Sequence, residues 1–343
     1  MVQKLSVEEF ILESRGKIII DVRSPKEFAH AHIPGAVSCP LFNDEERAAV
    51  GTLYKQKGRE NAMMLGLEYY GKNMQRIIQQ IKSLTNEREL FVHCWRGGMR
   101  SGVVSWMLDL FGYKVFTLER GYKNYRNFVL QKFSEKYLFI ILGGRTGAGK
   151  TFVLHELAKT NQVIDLEGLA HHKGSAFGAL GETETTTQEF FENKLALQLF
   201  FFNKQKPIFL EDESQRVGFV NIPNPFWEQM RNSKVIYFDI PFETRVENLV
   251  NTYGKYDVED LKNSSLRLQK RLGGLNTKLV LQFLDERNFR GAFSILLRYY
   301  DKFYDLGLEK REPNSIEKIQ TNTVDATENA KLISNKIHGE RKN

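Results

Sequence analysis

The segment VHCWRGGMRSG, residues 92–102, carries a single cysteine at the end of an apolar run, followed by glycines, two arginines and a serine. Cys94 therefore stands at the carboxyl end of a predicted strand, where α/β folds bind their ligands. Gly97 and Gly98 let the backbone turn tightly, so that successive N–H groups can surround an anion. Nearby arginines and a helix N-terminus favour the thiolate form of a cysteine. The segment predicts a nucleophilic thiolate in an anion-binding loop.

Three residues of this loop are predicted to be catalytic: Cys94 as the nucleophile, and Arg96 and Arg100 as the cations that stabilise an oxyanion. The rest of the anion loop is predicted to comprise Trp95, Gly97, Gly98 and Ser101. A structural cysteine beside a glycine turn is the alternative. The second cysteine of the chain, Cys39 in AVSCPL, has no such neighbours and is expected to be structural.

A second motif, GRTGAGKT, matches the phosphate-binding pattern G-x-x-x-x-G-K-[ST]. It follows the apolar run YLFIILGG and precedes FVLHELAK, so the strand, loop and helix that the motif requires are all present. Backbone amides would surround a diphosphate, a lysine would neutralise it, and a threonine hydroxyl could hold Mg²⁺. The predicted phosphate-binding residues are Gly144, Gly147, Gly149, Lys150 and Thr151, with Thr151 as the Mg²⁺ ligand.

The run PIFLEDES ends a predicted buried strand in three acidic residues. In P-loop proteins an acidic residue at this point helps to hold the metal ion. Glu211 and Glu213 are therefore added to the predicted cofactor-binding residues. A solvated acidic turn is the alternative.

The stretch DLEGLAHHKGSAFG, residues 165–178, follows another predicted strand and opens on the same edge of the sheet. Its acidic and histidine side chains could suggest a metal site. We interpret it instead as a substrate loop, because zinc sites need cysteines or a further spaced histidine that the stretch lacks.

The last hundred residues contain few turn signals and are predicted to be helical. They offer cations interleaved with tyrosines, which suits a phosphate backbone and unstacked bases. The predicted nucleic-acid contacts are Arg267, Arg271 and Arg298. The formal net charge of +7 also favours a polyanionic partner. A solvated helix face is the alternative.

Predicted strands alternate with helical stretches, which is typical of an α/β fold. The predicted strands cover residues 17–22, 90–94, 114–118, 137–144, 162–166, 207–212 and 234–240. A length of 343 residues suits two domains. The segment 119–136 either connects them or forms the last helix of the first. We predict domains 1–132, with the cysteine loop, and 133–343, with the P-loop and a helical C-terminal part.

The two cysteines provide no disulfide framework, which favours a reducing compartment. The N-terminal residues lack the apolar core of a signal peptide. The longest apolar run is far shorter than the ~20 residues that cross a bilayer. The sequence therefore predicts a soluble, cytoplasmic protein without a membrane partner.

The segment DVRSPKEFAHAHIPGAV, residues 21–37, resembles the rhodanese domain. Asp21, Arg23 and Glu27 are expected to form a structural ion-pair network. The common sulfurtransferase loop of that fold has four residues between its cysteine and its closing arginine, whereas five separate Cys94 from Arg100. Five is the spacing of related phosphatases, and a wider loop would admit a substrate that carries a phosphoryl group.

The whole chain, from about residue 10 to about residue 305, resembles the tRNA 2-selenouridine synthase (SelU) family. The motifs that carry the resemblance are CWRGGMRS, GYKNYR, GGRTGAGKT, DLEGLAHHKGSAFG, LEDES and RLGGL. It implies a rhodanese-like domain joined to a P-loop NTPase-like α/β domain. Two positions depart from the family pattern: Arg120 stands where a second glycine is expected, and Lys302 where a proline is expected.

The resemblance implies a transferase that acts on the wobble 2-thiouridine of tRNA. Sulfur is first alkylated by geranyl diphosphate, and the S-geranyl group is then replaced by selenium from selenophosphate. We expect no tightly bound cofactor, the diphosphate in the P-loop, and selenium carried on Cys94 as a perselenide. Apolar residues of 176–180 and 190–202 could line a geranyl groove or simply pack in the core. The alternative function is a rhodanese-fold Cys-x5-Arg phosphatase fused to a P-loop ATPase or kinase.

Overall fold

The computed structural model of the chain describes residues 2–173, 175, 177, 178, 180 and 185–340. The chain divides into two compact units. The first is Met1–Lys132 together with Glu189–Leu197, and the second is Phe133–Gln188 together with Gln198–Asn343. A short segment from the middle of the chain therefore belongs to the N-terminal unit.

The N-terminal unit alternates strands and helices. Its elements are β1 (Gln3–Leu5), α1 (Val7–Glu13), β2 (Ile19–Asp21), α2 (Pro25–His30), β3 (Ala36–Ser38), α3 (Asp44–Leu84), β4 (Glu89–His93), α4 (Met99–Leu110), β5 (Lys114–Leu118) and α5 (Gly121–Lys132). The strands form a parallel sheet in the order β1-β5-β4-β2-β3. The central strand β4 is buried from Leu90 to His93 and delivers its carboxyl end to the loop that holds Cys94.

The helix α3 runs for 41 residues and bends sharply at Gly58, where φ is 83°. A φ in this left-handed region is open to glycine at little steric cost. Asn43 caps the start of α3, and its side chain accepts from the Glu46 N–H. The buried face of α3 packs on the core of the unit through Ile77 and Ile81.

The segment 119–136 is not a free connector. Gly121–Lys132 is helical, and Tyr122, Tyr125 and Val129 are completely buried. Of the two interpretations open from the sequence, the last helix of the N-terminal unit is therefore the one observed.

The second unit carries the P-loop. Its elements are β6 (Phe139–Gly144), α6 (Lys150–Leu157), β7 (Gln162–Ile164), α7 (Leu166–Ala170), α8 (Gln188–Phe201, of which 189–197 belong to the N-terminal unit), β8 (Ile208–Glu211), β9 (Arg216–Val217), β10 (Val220–Asn221), α9 (Asn224–Arg231), β11 (Lys234–Asp239), α10 (Phe242–Tyr253), α11 (Val258–Leu266), α12 (Gln269–Leu272), α13 (Gly274–Asp285), α14 (Phe289–Leu308), a 3₁₀ turn (Pro313–Ser315), β12 (Ile316–Gln320) and α15 (Ala326–Glu340).

Its main sheet is parallel, in the order β12-β11-β6-β8-β7, and β9 pairs with β10 in a separate antiparallel ribbon. Because β6 and β8 are neighbours, the P-loop and the acidic residues after β8 lie at the same edge of the sheet. Helices α10 to α14 form a second apolar cluster around Val280, Leu284 and Leu297. The predicted helical C-terminal part is thus present, but β12 interrupts it with a strand that the sequence did not predict. None of the helices in the described part of the chain is both long and apolar enough to cross a membrane.

Candidate active site

Cys94 directly follows β4, and its thiol is buried, with 3% of the residue exposed. The helix α4 begins at Met99, so Ser101 lies in its first turn. The Sγ of Cys94 is 3.2 Å from the Oγ of Ser101, and the Ser101 hydroxyl is also 3.3 Å from the carbonyl oxygen of Gly98. The structure therefore brings the predicted nucleophile, the predicted glycine turn and the predicted serine together at the start of a helix.

Arg100 does not stand free beside the thiol. Its guanidinium donates to Glu27, with Nη1 2.6 Å from Oε2. Burial alone would raise the pKa of Glu27, but the hydrogen bonds from Arg100 and from the Ser24 N–H hold it below its usual value. The expected network of Asp21, Arg23 and Glu27 was therefore wrong in one member, because Glu27 pairs with the closing arginine of the loop.

The other two members form a buried pair beneath the loop. Arg23 Nη2 lies 2.6 Å from Asp21 Oδ2, and both residues are at most 1% exposed. The guanidinium of Arg23 also stacks 3.8 Å above the ring of Tyr122. His93 lies beside this pair, and burial lowers its pKa to about 4, so the imidazole is neutral at physiological pH. The cluster is therefore a buried ion pair beside a neutral imidazole.

The Cys94 loop is held by the first turn of α5. The N–H of Tyr122 donates to the carbonyl oxygen of Cys94 at 2.8 Å, and the N–H of Lys123 donates to that of Trp95 at 2.9 Å. Gly97 and Gly121 both have a positive φ, 59° and 61°. The sequence motif GYK gave no sign that its backbone would clamp the cysteine loop.

Tyr122 is held in turn by residues of α8. Its hydroxyl donates to Glu189 at 2.8 Å and accepts from the Asn193 amide at 2.8 Å. The Asn193 side chain also accepts from Arg126 at 2.6 Å. Phe191 and Leu195 on the same helix are completely buried. Core packing, one of the two roles considered for 190–202, is therefore observed for these two residues.

The P-loop adopts the expected strand, loop and helix arrangement. Gly144, Gly147 and Gly149 all have a positive φ, and the Nζ of Lys150 donates to the carbonyl oxygen of Gly144 at 2.8 Å. A side chain on Gly147 would meet the carbonyl oxygen of Arg245 at 2.9 Å, so this glycine is required by close backbone approach. These predicted residues converge on one loop.

Three side chains far along the sequence support the P-loop, and sequence interpretation missed them. Arg245 donates to the Thr146 carbonyl at 3.1 Å while paired with Asp301, and the Asn248 amide donates to the Gly147 carbonyl at 2.9 Å. The hydroxyl of Tyr304 accepts from the Gly144 N–H at 2.8 Å. The one sequence signal for these residues is the helical spacing of apolar residues in α10 and α14, which indicates that one face of each helix packs inward.

Glu167, Glu211 and Glu213 form an acidic cluster beside the P-loop, with one carboxylate oxygen of each lying within 4.8 Å of the others. Thr151 Oγ1 donates to Glu167 at 3.3 Å. Glu211 is 1% exposed, and neither carboxylate oxygen has a hydrogen-bond partner among the described residues. Glu167, from the stretch 165–178 that the sequence predicts to be a substrate loop, therefore supplies a third carboxylate to this cluster. Asp212 is not part of it and instead accepts hydrogen bonds from Arg311 and Tyr304.

Burial is the main cause of high pKa values in this cluster. It raises the pKa of Glu167 to about 10, with further increases from the neighbouring Glu211 and Glu213 carboxylates. Burial and the Glu211 charge raise the pKa of Glu213 to about 8. Carboxylates that retain protons at neutral pH without a cation are strongly disfavoured as anions and would gain from a bound divalent ion.

The three predicted nucleic-acid contacts all lie on the surface of the helical C-terminal part. Arg267, Arg271 and Arg298 are exposed, as nucleic-acid contacts must be, and Arg298 lies 5.5 Å from the ring of Phe242.

In the segment 176–180, which was considered for a geranyl groove, Phe177 is buried against Tyr253 and Phe293. Ala176 and Ala179 of the same predicted groove lie outside the described residues.

Comparison with known proteins identifies both units. A rhodanese-like domain model matches residues 6–128, and a model of the tRNA 2-selenouridine synthase AAA domain matches residues 137–333, more than half of the chain. The chain belongs to the tRNA 2-selenouridine synthase family. This confirms the resemblance and the fold class predicted from the sequence.

Curated members of the tRNA 2-selenouridine synthase family align over much of this chain. The enzyme of Nitrosomonas europaea is 39% identical over 68% of this chain and 63% of its own length, so the chain spans less than two thirds of that relative. The enzyme of Hydrogenovibrio crunogenus is 34% identical over 86% of this chain and 90% of its own length. That of Bdellovibrio bacteriovorus is 35% identical over 85% and 89%.

Proposed function

We propose that this protein converts wobble 2-thiouridine in tRNA to 2-selenouridine through an S-geranyl intermediate, with geranyl diphosphate and selenophosphate as co-substrates. The observation that carries the proposal is the buried Cys94 thiol, 3.2 Å from Ser101, in a loop at the start of α4 within a chain that also bears a P-loop. Both co-substrates are phosphorylated, and the chain offers two loops of the anion-binding type, so that each co-substrate can be assigned its own loop. The proposed site of action is the cytoplasm, where tRNA is available.

The P-loop is assigned to the diphosphate of the geranyl donor. In this step the thiocarbonyl sulfur attacks C1 of the geranyl group, the C1–O bond breaks, and diphosphate leaves while the base loses its N3 proton. The amides of the loop and the ammonium of Lys150 stabilise the charge that develops on the leaving group. That ammonium donates a hydrogen bond to the Gly144 carbonyl, which a diphosphate oxygen can replace.

The Cys94 loop is assigned to selenophosphate. The Cys94 thiolate attacks phosphorus, the P–Se bond breaks, and hydrogen selenide ion is released inside the loop. This ion attacks C2 of the alkylated base, the C2–S bond breaks, and geranylthiolate leaves and takes up a proton. Water then cleaves the S–P bond and releases phosphate. The wide Cys-x5-Arg loop suits the tetrahedral phosphoryl group that these reaction steps place on the Cys94 sulfur.

The proposed attack at phosphorus differs from the perselenide expected from the sequence, and electron counting is the reason. Selenium in selenophosphate is already at the selenide level. Attack of a thiolate on selenium would leave phosphorus two electrons richer, at the level of phosphite rather than phosphate. Attack at phosphorus keeps every element at its starting oxidation state and needs no additional reductant.

A divalent cation fits the acidic cluster. Glu211 is buried with both carboxylate oxygens unpartnered among the described residues, and Glu167, Glu213 and the Thr151 hydroxyl complete a set of oxygen donors that suits Mg²⁺. When bound there, Mg²⁺ would neutralise charge on a diphosphate held by the P-loop. A bound cation would take the place of the protons that Glu167 and Glu213 retain in its absence.

The proposal is tested by mass spectrometry of nucleosides from 2-thiouridine-containing tRNA incubated with the protein. With geranyl diphosphate alone, S-geranyl-2-thiouridine should accumulate. With both co-substrates, 2-selenouridine should replace it. Selenium incorporation that does not depend on geranyl diphosphate would overturn the order of steps, and an unchanged base in both reactions would overturn the function.

A further inference from the structure

Three exposed cations lie on the Cys94 loop and on the backbone segment that contacts it. Arg96 lies in the loop itself, and Arg120 and Lys123 lie at the start of α5. Within the described part of the chain, none of these three side chains makes a hydrogen bond or an ion pair. We refer to Arg96, Arg120 and Lys123 as the cationic rim.

Backbone contacts place the rim residues against the loop. The backbone nitrogen of Arg120 is 2.9 Å from the position that a Cβ on Gly97 would occupy. The N–H of Lys123 donates to the carbonyl oxygen of Trp95 at 2.9 Å. The backbones of Arg120 and Lys123 therefore contact the loop segment that follows Cys94.

The segments 94–100 and 119–123 together carry a net positive charge. Arg100 is neutralised by Glu27 from α2, and the one acidic residue within the segments 94–100 and 119–123 is the exposed Glu119. Three free cations against one free carboxylate leave a surplus of two positive charges. Such a surplus favours a polyanion over a neutral or cationic ligand.

Arg120 occupies its place at a conformational cost. Its φ is 56°, in the left-handed region that favours glycine. An arginine gains nothing for the fold in this conformation, since its side chain is exposed and unpaired among the described residues. Backbone strain that packing does not explain points to a role in binding.

We propose that the cationic rim binds phosphodiester groups of the tRNA strand on either side of the reacting base, with Arg120 as one of the contacts. The inference rests on the proposed function, because it takes the RNA of that reaction as the ligand. An RNA strand is favoured because it carries a phosphate at every nucleotide and can contact several separate cations, whereas selenophosphate, which we assign to the buried loop, is a single anion.

The decisive variant is Arg120→Gly, because the proposal predicts changes of opposite sign. Relief of the left-handed strain should raise the midpoint of thermal unfolding by about 2 °C. Loss of a phosphate contact should weaken tRNA binding about threefold to tenfold and reduce the slope of log K against log salt by about 0.7. The tRNA Kd is measured by filter binding at several salt concentrations.

Two further substitutions separate charge from backbone conformation. Arg120→Lys keeps the charge and the strain, and should retain most of the affinity and the full salt slope. Arg120→Asn tolerates a positive φ without charge and should bind as weakly as Arg120→Gly. Arg59→Ala, which removes an exposed cation on α3, is the matched control and should leave the salt slope unchanged.

The reaction of Cys94 with selenophosphate in the absence of tRNA distinguishes this inference from the proposed function. Phosphate release in that half-reaction should be the same in Arg120→Gly as in the unmodified protein. If Arg120→Gly is stabilised but binds tRNA with unchanged affinity and salt slope, the rim does not contact RNA. If phosphate release by Arg120→Gly falls as much as its tRNA binding, Arg120 acts on the loop and the inference is wrong. Failure of the unmodified protein to release phosphate would contradict only the proposed function.

Discussion

Gly121 lies so close to Gly97 that a Cβ on Gly121 would stand 2.4 Å from the Gly97 nitrogen and 2.3 Å from the Cys94 carbonyl oxygen. A Cβ on Gly97 would in turn stand 2.8 Å from the Gly121 nitrogen. Neither glycine can carry a side chain without moving backbone. The two glycines thus let the loop that bears the nucleophile lie directly on the first turn of α5.

Gly121→Ala should displace the Cys94 loop, because both contacts are to backbone atoms that have no rotamer to change. We expect a loss of stability on the order of 2–4 kcal/mol and loss of selenium incorporation. Geranylation, which is assigned to the other unit, should be retained. Thermal unfolding and nucleoside mass spectrometry provide the two measurements.

Gly112→Ala is the matched control for Gly121→Ala. Gly112 also has a positive φ, 78°, but a Cβ there would meet nothing within 4 Å. Gly112→Ala should lower the free energy of unfolding by only about 1 kcal/mol, the cost of a positive φ, and should leave selenation intact. Equal effects of the two substitutions would show that close approach to Cys94 is irrelevant.

Cys94→Ser should abolish selenium incorporation and spare geranylation, because only the selenophosphate step uses the thiolate. Cys39→Ala serves as its control. Cys39 is fully buried, and burial raises the pKa of its thiol to about 11, so it remains an unreactive thiol. Equal loss of both steps in folded Cys94→Ser protein would contradict this division of labour.

Lys150→Ala should reduce geranylation at least tenfold, because the diphosphate loses its neutralising ammonium. Supplying tRNA that is already geranylated should bypass the defect and restore selenation by selenophosphate. Product formation from the two substrates is compared by liquid chromatography. Full geranylation by Lys150→Ala would show that the P-loop does not hold the geranyl donor.

The acidic cluster predicts an unusual pH dependence of stability. In the unfolded chain Glu167 and Glu213 ionise near pH 4.5, whereas in the folded state their pKa values are about 10 and about 8. The folded state therefore binds more protons between these limits, and the free energy of unfolding should fall as pH rises from about 5 towards 8.

Magnesium should counter this loss, because it binds the ionised cluster in place of protons. Millimolar Mg²⁺ should raise the thermal midpoint more at pH 8 than at pH 6. Glu211→Gln should remove that dependence on Mg²⁺ while stabilising the metal-free protein at pH 8. A midpoint that is insensitive to Mg²⁺ at both pH values would argue against a cation site.

The strands that sequence patterns located are mostly those with long apolar runs. The prediction for 114–118 coincides with Lys114–Leu118, and those for 137–144 and 234–240 differ from the observed strands by one or two residues at an end. The main-sheet strands that were missed, β1, β3 and β12, all lie at sheet edges. Edge strands are short and half-exposed, so their residues lack the apolar signal of a buried strand.

The sequence by itself determined the family, the fold class and the positions of the Cys94 loop and the P-loop, while the role of Cys94 as nucleophile stays a prediction. These depend on short contiguous motifs, in which glycine, lysine and cysteine at fixed spacing dictate local backbone geometry and charge. Only the tertiary structure decided the pairing of Glu27 with Arg100, 73 residues apart, the placement of Glu167 beside Glu211, and the clamp of Gly121 on Gly97. Such contacts depend on how whole elements pack, and packing free energy is shared among residues distant in the chain, so no local pattern encodes it.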